Sequence, residues 1–163
     1  MRAQCLAFTF VAAVAASAAS AQSPMTQFMS DQQIMGLIEK AKDERKGDAP
    51  LVAEPILLLA PYKAQLEYRA LKAPAALHEK DAELMVVLDG TGTIVTGGRI
   101  VNEERVNAAN TRGPSIDGGK SQAVVKGDML IVPANTPHQV IPTGGAPIVL
   151  MTLHVPSAPG EWP

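Results

Sequence analysis

The sequence predicts an all-β domain, an antiparallel β-barrel or sandwich, preceded by one α-helix. Three observations carry this expectation. From Leu51 onward the chain falls into short apolar runs separated by turn pairs: Asp89-Gly90, Gly97-Gly98, Gly127-Asp128 and Gly144-Gly145. Tyr62, Ala64, Leu66, Tyr68 and Ala70 alternate with Lys63, Gln65, Glu67 and Arg69, the period of two of a half-buried strand. Before Leu51, a single segment carries apolar residues at helical spacing instead. The 163 residues are 47% hydrophobic, enough for the core of one domain and too many for a disordered chain. The net charge of −2, with scattered Lys and Arg, argues against a nucleic-acid duplex as partner. Aromatic residues make up 4%, too few for a platform that stacks single strands.

Residues 1–21 read as an export signal. Arg2 is followed by an apolar run from Leu6 to Ala16 and by Ala19-Ser20-Ala21, with cleavage expected before Gln22. The run is too short for a membrane span. The mature protein is thus expected to be periplasmic or secreted, without membrane attachment. Cys5, the single cysteine, leaves with the leader, so stability must come from packing and not from a disulfide.

Residues 22–50 form a helical segment. Ser30 and Gln33 fit a capping box, Ile34, Leu37, Ile38 and Ala41 form one stripe, and Gly47 is a stop. The β-domain is expected over 51–156. Its strands fall at 56–60, 62–70, 83–88, 92–96, 121–125, 128–132, 138–141 and 147–155. The polar stretch 99–120 reads as a long loop or lid, and 157–163 as a loosely held tail, with Trp162 the one residue able to pin it.

Chemistry concentrates on the histidines His78, His138 and His154. Glu83 follows His78 by five residues. A hairpin loop over 79–82 would make the two cross-strand neighbours on one face, with Met85 further along it. The second segment runs from Gly127-Asp128 through the apolar Met129–Val132 and the turn Pro133-Ala134-Asn135-Thr136-Pro137 to His138. Other chemistries lack their motifs: neither a G-x-S-x-G elbow nor a phosphate-binding loop is present.

These two segments resemble the paired motifs of the cupins. His78, Glu83 and Gly90 match the later part of the first motif, and Gly127, Pro133 and His138 match the second. The chain is most similar to small exported bacterial single-domain cupins, through Gly97-Gly98, Arg112-Gly113 and Gly118-Gly119. Three positions depart from the pattern. Ala76 stands where the first motif has its first histidine, Asn135 replaces a glycine while tolerating a positive φ, and Pro142 replaces the final asparagine. The resemblance implies a cupin-type antiparallel β-barrel, or jelly roll, and a divalent transition metal (Fe, Mn, Zn or Ni) on His78, Glu83 and His138. Two histidines and a carboxylate have the composition of a facial triad with open positions. Tyr68, Met85, Arg112 and His154 are candidates to line the pocket. The implied function is a small-molecule metalloenzyme of oxygenase, isomerase or lyase type. The alternative is a non-catalytic cupin, with a degenerate metal site, that binds a small molecule or sugar. Without a metal, Glu83 is the candidate general base. A homodimer is expected, because exposed strand edges gain from being covered.

Overall fold

The computed structural model describes residues 26–157; the expected export signal with Cys5 and the expected tail with Trp162 lie outside the described residues. In order the elements are α1 (Asp31–Glu44), β1 (Leu51–Leu59), β2 (Tyr62–Arg69), β3 (Ala75–His78), β4 (Asp81–Asp89), β5 (Thr91–Thr96) and β6 (Arg99–Val101). There follow β7 (Glu104–Asn107), β8 (Asn110–Gly113), β9 (Ser115–Asp117), β10 (Lys120–Val125), β11 (Met129–Val132), β12 (His138–Pro142) and β13 (Ile148–Pro156). Two antiparallel sheets face each other in a jelly roll. One has the order β1-β2-β13-β4-β11, the other β10-β5-β12-β3-β8-β7, and β6 pairs with β9 as a separate ribbon. Among the described residues no ladder joins the two large sheets, so the expected barrel is an open two-sheet one.

Alternation along the strands decides which residues enter the space between the sheets. On β4, buried Glu83, Met85 and Val87 alternate with partly buried Leu84, Val86 and Leu88. Met85 and Val87 join Ile148 and Leu150 of β13, Val132 of β11, and Ile94, Val124 and Val140 of the opposite sheet in one core. The outer face of the five-stranded sheet is covered by α1, whose Ile34, Leu37, Ile38 and Ala41 pack on Ile56, Leu66 and Val149. The capping box is complete: the Gln33 amide donates to Ser30 Oγ at 3.3 Å, and the Ser30 amide donates to Gln33 Oε1 at 2.8 Å.

Gly90 ends β4 with φ +80°, and any Cβ there would collide with the Pro147 carbonyl. The tight β4–β5 turn beneath Pro147 is why glycine stands seven residues after Glu83.

Two sequence expectations are corrected. Residues 79–82 do not close a hairpin between paired strands. β3 pairs with β8 and β12, while β4 pairs with β11 and β13, so the segment turns the corner from one sheet to the other. The stretch 99–120 is not a loop but contains β6 to β9 and the start of β10. Its strands are short, and β7 is exposed throughout, so they carry little of the apolar alternation that marks a strand in sequence.

Leu150 is fully buried in the core between the sheets. Leu150→Ala is expected to lower the unfolding free energy by about 2–5 kcal/mol, measured by urea denaturation.

Candidate metal centre

All three histidines of the protein converge on one carboxylate. Glu83 points inward from β4 and is 2% exposed. His138 Nε2 lies 2.9 Å from Glu83 Oε2, His78 Nε2 lies 3.4 Å from the same oxygen, and His154 Nε2 lies 3.9 Å from Oε1. The ring centroids of His78 and His154 are 4.4 Å apart, and those of His78 and His138 are 5.2 Å apart. One donor atom from each of His78, Glu83 and His154 falls within 4.8 Å of the other two.

Local structure explains each placement. Register sets His154 of β13 directly opposite Glu83 of β4, so both side chains leave the same sheet face. His78 and His138 come from the opposite sheet, at the end of β3 and the start of β12. The Pro-rich turn before β12 is tied to β3, because the Asn135 amide donates to the His78 carbonyl at 2.7 Å. Asn135 adopts φ +59°, as its place in the second motif requires.

The outer ring nitrogens are held as well. His78 Nδ1 lies 2.7 Å from Asn110 Oδ1, and the Asn110 amide nitrogen donates to Asn107 Oδ1 at 2.9 Å, which turns its carbonyl oxygen toward the ring. His138 Nδ1 lies 3.3 Å from the Thr136 carbonyl. Carbonyl oxygens only accept, so both Nδ1 atoms carry the hydrogen. In a neutral ring of that tautomer, Nε2 presents a lone pair. Two such lone pairs face the Glu83 carboxylate, acceptor against acceptor. Consistent with this, Glu83 Oε2 is buried without a directed hydrogen bond despite its 2.9 Å approach to His138. A cation or a proton must stand between them.

Protonation supplies one solution. Burial opposes the charge on Glu83, but the close approach of His138 and His78, once protonated, and the nearby ring charges outweigh it, holding the carboxyl far below the usual range. Burial likewise opposes a charged His78, yet Glu83 and Asn110 outweigh it and raise that ring. At His154 burial prevails over the attraction of Glu83, and the ring is lowered. A divalent metal supplies the other solution. Donors about 2.1 Å from one transition-metal ion stand roughly 3.0–3.4 Å apart; the Glu83 oxygen lies 2.9 Å from His138 and 3.4 Å from His78, and the donors of His78, Glu83 and His154 lie within 4.8 Å of one another. Imidazole nitrogens with a carboxylate form a donor set that suits Fe, Mn, Zn or Ni.

The sequence-predicted residues separate clearly. His78 and Glu83 come together with His154, their donors all within 4.8 Å of one another, while His138 falls outside that set and reaches Glu83 alone at 2.9 Å. Met85 lies on the Glu83 face two residues along, fully buried, and belongs to the core beneath the site. Tyr68 faces the opposite way and packs in the cluster under α1, away from the histidines. The Arg112 side chain is 59% exposed, and its guanidinium is 3.9 Å from Glu104, outside the cluster. Asn110 escapes the sequence reading because its short strand carries no apolar alternation.

Two facing antiparallel sheets in this strand order form the double-stranded β-helix fold. The comparisons agree. No family model and no curated protein matches the chain. Among solved structures, it is similar to an uncharacterized conserved protein with a double-stranded β-helix domain from Klebsiella pneumoniae, with 12% identity, TM-score 0.55, and 83% of this chain and 94% of that one covered. It is similar to a cupin superfamily protein from Desulfitobacterium hafniense, with 11% identity, TM-score 0.54, and coverage of 83% and 100%. It is also similar to the Schizosaccharomyces pombe Cnp3 cupin domain, with 11% identity, TM-score 0.50, and coverage of 71% and 72%. The likeness is one of fold: this chain has the cupin fold.

Glu83's depressed pKa contributes stability that is present above the unfolded carboxylate value and is lost as pH falls toward the folded one. In metal-free protein, Glu83→Gln is therefore expected to lower the melting temperature more at pH 7 than at pH 3. It should also lower the His78 pKa in an NMR titration, since burial persists without the carboxylate.

Proposed function

We propose that this protein binds one divalent transition metal between its sheets and uses it on a small molecule. The observation that supports this best is the acceptor-against-acceptor arrangement. Hydrogen bonds fix two imidazoles so that their lone pairs meet a buried carboxylate, as ligands of a shared ion do. His78, Glu83 and His138 would hold the metal, with His154 as a further donor in place of the histidine missing at Ala76. A bound metal would supply Lewis acidity, or a site for dioxygen, at its open positions. The chain's own residues do the rest. Asn110 and Thr136 hold the rings in one tautomer, and Met85 and Val132 keep the inner side dry. In the same reading the chain is exported, with residues 1–21 removed, and self-associates. Met129 and Ile131, 68% and 60% exposed on the edge strand β11, support the self-association.

Elemental analysis tests the metal. The purified protein is expected to hold about one equivalent of a transition metal, a stoichiometry that three imidazoles around one carboxylate imply. His138→Ala should lose it, and Asn110→Ala should weaken affinity roughly 10–100-fold while leaving the ligands intact. Protein that contains no metal and takes none up from Mn, Fe, Ni or Zn would leave the non-catalytic binder as the reading. For self-association, Ile131→Glu is expected to shift the protein to monomer in analytical ultracentrifugation.

A further inference from the structure

The register of the six-stranded sheet places Lys120, Thr96, His138, Ala76, Arg112 and Glu104 in one continuous row, each directly opposite the next. All the pairings are antiparallel, so all six side chains leave the same face of the sheet. The adjoining row verifies that this face looks into the site: His78 is paired with Asn110, and their side chains meet at 2.7 Å. Asn110 and Arg112 are two residues apart on β8 and therefore point to the same side.

Exposure rises outward along this row. His138 is buried, Ala76 is half-buried and Arg112 is exposed. Only the methyl of Ala76 separates the metal-ligand candidate His138 from Arg112, across two strand spacings of about 4.8 Å each. The pattern of the resembling family has a histidine at this position; here the side chain is a single methyl. Among the described residues, the one ionic neighbour of Arg112 is Glu104 at 3.9 Å, beyond hydrogen-bonding distance. Its five donors are free to engage another group.

We infer that the site accepts a small organic acid, with Arg112 gripping a carboxylate over Ala76 while a second oxygen of the same molecule faces the metal position. This rests on the metal reading above. Charge supports it: a divalent ion with one carboxylate and neutral imidazoles leaves a net positive site, and Arg112 adds to it, so an anion is the complementary ligand. Shape supports it too. The guanidinium fork matches a carboxylate in two parallel hydrogen bonds, which an ammonium does not reproduce.

The test uses the full chain loaded with Co(II). Metal content is read by elemental analysis, and binding of malonate and of its neutral analogue malonamide by calorimetry. Wild type is expected to prefer malonate by about tenfold or more, the difference of one charge-assisted contact. Arg112→Ala should lose that preference with cobalt stoichiometry unchanged, and Arg112→Lys should keep part of it. Ala76→Leu should weaken malonate in the same way by filling the gap. Full cobalt loading with equal malonate affinity in wild type and Arg112→Ala would overturn the role of Arg112 and leave the metal reading standing. Failure of wild type to take up cobalt would overturn both, and the stoichiometry shows which has failed.

Discussion

Two buried carboxylates enter the space between the sheets: Glu67, paired with Arg69 on its own strand, and Glu83, which the histidines surround. A carboxylate taken out of water costs several kcal/mol unless positive charge or directed donors replace the lost hydration. Glu83 is 2% exposed, and the chain spends its entire stock of histidine on it. Each ring arrives from a different strand: His78 from β3, His138 from β12 and His154 from β13. The two sheets must therefore hold a fixed distance and register for the carboxylate to be tolerated. The apolar core beside it, from Met85 to Leu150, sets that distance.

The same constraint explains the polar residues behind the rings. An imidazole that meets Glu83 through Nε2 turns Nδ1 toward the sheet, where an unpaired N–H would be a further burial cost. Asn110 answers this for His78 and the Thr136 carbonyl does so for His138. Asn110 is in turn oriented by Asn107. An exposed hairpin of low apolar content, β7 and β8, thus acts on the site. It supplies the acceptor that fixes the tautomer of a buried ring, and the next inward-facing position on it is Arg112.

The features legible in the sequence were those written in local spacing. The helix with its capping box, the β2 alternation, the Gly90 turn and the Asn135 turn each depend on neighbours a few residues apart, and each is present. What depended on which strands pair was not legible. Five residues between His78 and Glu83 suit a hairpin and a corner between sheets equally well, and only the partners of β3 and β4 decide between them. His154 shows the same limit. Alternation placed it on the face of Thr152, but which face of β13 turns inward is set by Glu83 and Met85 on the neighbouring strand. Tyr68 lay on the opposite face of its own strand from the inward-pointing side chains, for the same reason. The polar strands of 99–120 carried too little apolar pattern to be distinguished from a loop.

Ala76 and His154 are best understood together. The position of Ala76 lies on β3 beside His138, toward β8, whereas His154 lies on β13, beside Glu83 in the facing sheet. A histidine at the first position would place three rings on one sheet and close the gap toward β8. Placing the ring at the second position instead divides the donors evenly, with His78 and His138 on one sheet and Glu83 and His154 on the other. The donor count is unchanged, but the small side chain now stands on the β8 side. Across Ala76, Arg112 stands two strands from His138 in the same inward-facing row, while His154 on β13 is the most exposed of the three rings. A change that reads in sequence as the loss of a ligand is, in the fold, a redistribution of the polar groups between the two sheets.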